Sequence, residues 1–351
     1  MTGREDTGRP GTGGPAERET APGAPRYSVV VPTIGRPCLD DCLRALAASA
    51  LPPPDAVHLV DDRPSPAGPL DVRGAGPLLD RLTVLATHGR GPATARNAGL
   101  RDVTTEWVVF LDDDVRILPG WGARLVRDLR EAPPRTVGVQ GRLHVPLAVG
   151  RRPTDWERCT AGLEDAAWAT ADMAYRTDAL RAVGGFDERF RRAFREDADL
   201  ALRLRDAGWD LARGRRETLH PVRPADRWVS VRAQRGNADD ALMRHLHGPR
   251  WWARAEAPRG RLPRHLAVTG AGAAAVALAL SGRHRGASLA AALWALGTAE
   301  FSWARTAPGP RTASEITTMI ATSLIIPPLA VGHWSAGLLR HRGAVPWKGR
   351  P

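Results

Sequence analysis

Lysine is all but missing from this 351-residue chain: Lys348 is the only one, and arginine supplies the other cations behind a net charge of +12. Beside heavy use of alanine, glycine and proline, that reads as a compositional bias of the source. Basicity alone is then a weak argument for a polyanion, and no nucleic-acid partner is expected. Cysteine is scarce as well. Cys38, Cys42 and Cys159 form neither a CxxC pair nor a zinc set, and their odd number fits a reducing compartment and excludes a disulfide framework. No GxGxxG or GxxxxGK[ST] occurs in the folded first half, which counts against a dinucleotide-binding domain and a P-loop NTPase. No apolar run follows the start methionine, so no secretory signal is predicted and the amino-terminal domain is expected in the cytoplasm.

What remains is ordinary for a folded protein of about two domains, with 43% hydrophobic and 25% charged residues. Residues 1–25 are glycine, proline, threonine and charge with almost no large apolar side chain. They cannot repay the entropy of ordering and are expected to be a disordered tail. From Tyr27 to about Gly214, short Val/Leu runs alternate with longer segments of helical period, the pattern of βα units and of an α/β, mostly parallel sheet with flanking helices. Strands are predicted at 27–32, 57–60, 82–86, 106–111 and 210–213, and a strand or hairpin at 137–145. Helices are predicted at about 37–48, 94–101, 121–130, 178–183 and 199–207.

Chemistry gathers where these strands end. The run Trp107-Val108-Val109-Phe110-Leu111 is followed by Asp112-Asp113-Asp114, strand two ends in Asp61-Asp62, and strand one leads to Thr33 and Arg36. Carboxyl ends of parallel strands share one edge, so the three clusters should meet in one crevice. Three adjacent carboxylates repel unless a cation is near, and hard oxygen ligands suit Mg²⁺ or Mn²⁺. Further on, Glu196-Asp197 opens a helix, where the dipole favours acids, and His220 lies in Leu219-His220-Pro221.

In order, Val30-Val31-Pro32-Thr33, Val60-Asp61-Asp62, Ala95-Arg96-Asn97-Ala98-Gly99, Leu111-Asp112-Asp113-Asp114, Val183-Gly184-Gly185-Phe186-Asp187-Glu188 and Glu196-Asp197-Ala198-Asp199-Leu200 resemble the family 2 glycosyltransferases of GT-A fold, over about residues 26–245. The resemblance implies an inverting, nucleotide-sugar-dependent enzyme with a divalent cation as cofactor. Pro32, Thr33, Asp61 and Asp62 would surround the nucleobase, and Arg96-Asn97 the base or diphosphate. Asp112, Asp114 and His220 would hold the metal, and Asp113 would make local hydrogen bonds or a ribose contact. Asp197 of the Glu196-Asp197 motif would be the base that takes the acceptor's proton. Two departures stand out: Arg63-Pro64 where relatives carry Gly-Ser, and Asp172 where they often carry asparagine, near the donor sugar or acceptor. Trp156 and Trp168 flank the loop that in such enzymes faces the acceptor.

After His247 the character changes. Arg250, Arg254, Arg259, Arg261 and Arg264, interleaved with Trp251 and Trp252, precede three apolar segments at 266–282, 286–299 and 316–332. A basic aromatic stretch before marginal spans fits an anionic cytoplasmic leaflet and its interfacial belt. A domain at 26–247, a juxtamembrane segment at 248–265, membrane-associated helices at 266–339 and a tail at 340–351 are therefore expected. A small helical subdomain packed on the enzyme is the alternative. The functional expectation is a glycosyltransferase at the cell membrane with its catalytic domain in the cytoplasm, a nucleotide diphosphate sugar as donor, and a glycan or lipid-linked acceptor of the cell envelope. Two rivals are a nucleotidyltransferase of similar fold, for which Thr33-Ile34-Gly35-Arg36 is too short a loop, and a non-catalytic sugar-nucleotide-binding membrane protein, which would need no Glu196-Asp197.

Overall fold

The computed structural model describes residues 23–347. Most of the expected amino-terminal tail and the last four residues of the carboxy-terminal one lie outside them. The strands are β1 (Tyr27–Thr33), β2 (Val57–Asp61), β3 (Leu82–Ala86), β4 (Trp107–Leu111), β5 (Arg116–Ile117), β6 (Thr136–His144), β7 (Asp172–Arg176) and β8 (Asp210–Leu219). They form one sheet in the order β3-β2-β1-β4-β7-β6-β8-β5. β1, β2 and β4 are nearly continuous apolar runs because helices cover both faces of the sheet. The helices of this part are α1 (Leu39–Ser49), α2 (Pro92–Asp102), α3 (Trp121–Glu131), α4 (Asp155–Ala161), α5 (Thr177–Ala182), α6 (Glu196–Asp206), α7 (Val229–Ala233), α8 (Asn237–His247) and α9 (Trp251–Arg254).

The strand order locates the site. The chain winds outward from β1 through β2 to β3, then returns to place β4 on β1's other flank. The reversal between β1 and β4 is a topological switch point, and it opens a crevice at their carboxyl ends. Beyond β4 the sheet is mixed: β7 runs antiparallel to both β4 and β6, while β6 and β8 are parallel. Sequence periodicity missed β7, whose Asp172-Met173-Ala174-Tyr175-Arg176 carries a buried acid, and the two-residue β5.

Two glycines let elements close in on the crevice. Gly91 has φ +97°, and a Cβ there would sit 2.7 Å from the Arg191 carbonyl oxygen. Only glycine serves, and it lets Pro92 start α2 against that backbone. A Cβ on Gly99 would meet Val30 Cγ1 at 2.5 Å, so α2 lies directly on β1.

The carboxy-terminal part is α10 (Leu262–Leu280), α11 (His284–Thr306) and α12 (Ala313–Arg340). α10 and α11 form a hairpin, and α12 packs along α8, where Gly337 meets the Ala238 backbone. Apolar side chains cover much of the hairpin's surface: Leu280 is 86% exposed and Leu296 69%.

Candidate active site

The crevice is a cavity of about 180 Å³ whose wall includes Pro32, Thr33 and Ile34 from the end of β1, Pro92, Ala95 and Arg96 from α2, the acidic triplet after β4, and His220 with Arg223 after β8. A short piece of sheet brings the last pair in. β5 follows the triplet at once and pairs antiparallel with the end of β8, Arg116 against Leu219. His220, one residue past Leu219, therefore falls beside Asp114, two residues before Arg116. Its Nε2 is 3.8 Å from Asp114 Oδ1, and its amide donates to the His144 carbonyl at 2.8 Å.

Each acid of the triplet has its own arginine. Asp112 Oδ1 accepts from Arg96 Nη2 at 2.9 Å, Asp113 pairs with Arg36, and Asp114 Oδ2 lies 3.0 Å from Arg223 Nε. The repulsion expected of three bare carboxylates is thus answered by the chain itself, and charge alone does not call for a metal. Asp113 is fully buried and accepts from Thr33 Oγ1 at 2.6 Å. Burial pushes its carboxyl up in pKa against the pull of Arg36. It ties β4 to β1, the local role foreseen as one of its two options.

The metal reading rests on geometry. Asp112, Asp114 and His220 each offer a ligand atom, all within 4.8 Å of one another. Two carboxylates and an imidazole suit Mn²⁺ or Mg²⁺. His220 is buried and its Nδ1 has no hydrogen-bond partner, so the ring is held out of water beside two anions. The residues fit a divalent ion.

Arg96 joins this group to the next. Its side chain is 2% exposed and bridges Asp112 to Glu196, Nη1 to Oε1 at 2.7 Å, with the Phe186 ring 5.5 Å from the guanidinium. Burial pushes the Glu196 carboxyl up despite Arg96. Asp197 is half-buried and accepts from the Ala198 amide at 2.7 Å. Among the described residues no cation lies within ion-pairing distance of it, and burial raises its pKa too.

Other expected site residues are engaged elsewhere. Asp61 is clamped by Arg63, whose amide, Nε and Nη2 reach its carboxylate at 2.6–3.0 Å, and it does not line the cavity. That bond holds its carboxyl below the usual range. Asp62 lines the cavity, but both its oxygens brace the turn into α2, accepting from Thr87 Oγ1, Arg90 N and Gly91 N at 2.7–2.8 Å. Asn97 faces away, its amide holding Phe186 and Glu188. Asp172, placed near donor or acceptor on the resemblance, is wholly buried and binds Trp121, Arg216 and Thr218. It is a core polar hub. Trp168 is buried beneath Arg205, whereas Trp156 stands at a surface groove. Sequence reasoning placed Arg36 in the crevice without a partner and gave Arg223 no role. In so arginine-rich a chain a lone arginine carries no signal, and only the fold sets these two opposite Asp113 and Asp114.

Comparison with known proteins agrees with this architecture. Residues 28–196 match the glycosyl transferase family 2 model, and this domain belongs to that family. Two curated relatives, the pre-mycofactocin glycosyltransferases of two Mycobacterium tuberculosis strains, are each 34% identical over 180 residues, covering 45% of this chain and 36% of theirs. The chain thus matches about a third of their length. Among solved structures, the mannosyltransferase PcManGT from Pyrobaculum calidifontis, in complex with GDP-Man and Mn²⁺, aligns with a TM-score of 0.50 at 20% identity, covering 86% of this chain and 87% of that one. That likeness is one of fold: GT-A.

Proposed function

We propose that the chain transfers a sugar from a nucleoside diphosphate sugar to an acceptor hydroxyl, with inversion and with a divalent cation as cofactor. The observation that carries this is the junction at Arg96, where one buried guanidinium ties Asp112 of the metal-ligand triad to Glu196 beside Asp197. Such a tie would hold a donor site and an acceptor base in one frame, as a displacement needs. Sugar-nucleotide ligands and Mn²⁺ in the PcManGT structure, and the glycosyltransferase activity named for the mycobacterial relatives, support the same class.

A divalent ion held by Asp112, Asp114 and His220 would neutralise charge on the departing diphosphate. Arg223, exposed on the loop after His220 and directed at Asp114, adds a guanidinium at the same end of the cavity. The acceptor oxygen is a poor nucleophile until its proton is taken as the bond forms. Asp197 is suited to that: among the described residues no cation pairs with it, and its raised pKa makes it the stronger base. Proton removal on the face opposite the leaving group gives a single displacement with inversion.

The exposed apolar surface of α10 and α11 supports a place at the membrane. α10 and α12 are long and apolar enough to cross a bilayer. The 19 residues of α10 span about 28 Å at ~1.5 Å per residue, near the ~30 Å of a hydrocarbon core. Arg261 and Arg264 pair with Glu300 where the hairpin meets the domain. An envelope acceptor, glycan or lipid-linked, accords with that position.

The test is a donor panel of nucleoside diphosphate sugars with Mn²⁺, read by release of free nucleotide and by NMR of the product anomer. Transfer with inversion by the wild type, lost in Asp112→Ala and Asp114→Ala, is the expected result. No release from any donor sinks the proposal.

A further inference from the structure

A second concave site lies beside the cavity, and most of it comes from outside the segment that matches the family. It is a groove of about 360 Å³ between α4, the loop after β8 and the first turns of α12, within the roughly 300–1,000 Å³ range of small-molecule pockets. Arg223 lines both this groove and the metal-end cavity, so the two hollows meet at one side chain. Trp156 forms one wall, its indole fixed by donation from Nε1 to the Arg223 carbonyl at 2.9 Å. Thr318 and Met319 of α12 form the other.

The groove's charges are already sorted. Asp155 pairs with Arg305, Glu157 with Arg151 and Asp226 with Arg232, at 2.5–3.0 Å, while Glu315 accepts from the Asp155 amide at 2.8 Å. Every carboxylate is engaged. Arg227 forms no close ion pair among the described residues: it lies over the Trp228 ring and only its longer-range charge acts on Asp226. A fixed aromatic face, hydroxyl-bearing walls and one guanidinium free of a close ion pair are what a sugar ring with an anionic substituent recognises.

We propose that this groove is the acceptor site, and that it takes a saccharide whose ring lies on Trp156 and whose anionic group meets Arg227. The acceptor hydroxyl then faces the cavity across Arg223. This rests on the reading of the cavity as a sugar-nucleotide site, but saccharide binding can be measured without any donor.

The experiment is saturation-transfer NMR on the full chain in detergent, with methyl β-glucoside and methyl β-glucuronide as probes and Mn²⁺–nucleotide binding followed in parallel. The wild type should give ring-proton transfer with both probes and bind the glucuronide about tenfold more tightly. Thr318→Trp, which fills the groove from α12, should abolish both signals. Arg227→Ala, a change at an exposed side chain, should remove only the preference for the anion. No transfer with either probe, or undiminished transfer in Thr318→Trp, overturns the site. Equal wild-type affinities overturn the anionic assignment. Glycoside binding without nucleotide binding sinks the transferase reading and leaves the groove, and the reverse result does the opposite.

Discussion

The sheet and the carboxy-terminal helices use the same apolar residue types to opposite ends. Val29, Val30, Val31, Val108 and Val109 are fully buried between helix layers, while Val276, Leu289 and Leu296 on α10 and α11 are 61–69% exposed. Burying such a side chain is worth roughly 1.5–3 kcal/mol. The sheet realises that gain within the chain, and the hairpin leaves it to be realised against something else. The two regions are nevertheless fastened by polar contacts. Arg305 at the end of α11 is buried among Asp155, Ser230, Thr322 and Ser323, and Glu315 of α12 caps the backbone of α4. The proposed chemistry is centred on the sheet side and the proposed membrane attachment on the helix side, with these polar contacts joining them.

The sharpest way to break that division is at Asp197. In Asp197→Asn the turnover number should fall about 10²- to 10⁴-fold, the usual contribution of a general base, while Mn²⁺–nucleotide affinity by calorimetry stays within about twofold. Loss of nucleotide binding as well would give Asp197 a structural role. Next comes the joint. Arg305→Met removes the closer of the two cations on part-buried Asp155 and leaves Arg158 at 3.3 Å, which costs roughly 1.5–3 kcal/mol, the worth of a hydrogen bond to a charged group. Hydrogen exchange should then accelerate in α4 and the first turns of α12 while β1 and β4 stay protected. Unchanged exchange would mean that apolar packing of α12 on α8 makes the joint.

A comparable effect is expected on the helix side. Leu289→Glu and Leu296→Glu should each lower binding to anionic vesicles in a flotation assay about tenfold to a hundredfold, the equivalent of roughly 1.5–3 kcal/mol. Melting of the detergent-free domain should barely move, because these side chains are about two-thirds exposed. If melting falls and flotation does not, the hairpin is a subdomain packed in water, and the comparison between the two regions fails.

How far the sequence told this in advance differs across the molecule for a physical reason. β1, β2 and β4, with α1 and α2, were legible because doubly covered strands must be apolar runs and βα units alternate in period, and β3 was read from its apolar run although it is a largely exposed edge strand. The convergence of Thr33, Arg36 and the acidic triplet followed from parallel strands sharing an edge, whereas Arg96, on α2, was placed only by the resemblance. β7 escaped because its Asp172 and Arg176 break the apolar run, and the acid is tolerated only through Trp121, Arg216 and Thr218, which lie 44 to 51 residues away in the chain. Asp61 and Asn97 were assigned to a ligand because no sequence pattern says whether a side chain is free. Their partners, Arg63 and the Phe186-Glu188 turn, decide that. Arg223 and the groove behind it needed β5 on β8 and α12 on α8, contacts that leave no periodic mark.

Below these effects lies a pH dependence at the edge of the groove. Arg151 foremost, then the amide and hydroxyl of Thr154, hold the Glu157 carboxyl at about 2. A carboxyl whose pKa is depressed in the folded state stabilises that state fully above its unfolded value, near 4.5, and the contribution is lost as pH falls from there toward 2. The pair is solvent-facing on the arginine side, so solvent screening keeps the effect to roughly 1 kcal/mol or less. Comparing thermal melts of the wild type and Glu157→Gln at pH 6 and at pH 2.5 isolates it. The wild type should be the more stable at pH 6 and the difference should shrink at pH 2.5. A difference that does not shrink means the capping hydrogen bonds to Thr154, which the amide can partly keep, act independently of charge, and that the α4 wall of the groove does not depend on the Arg151 ion pair.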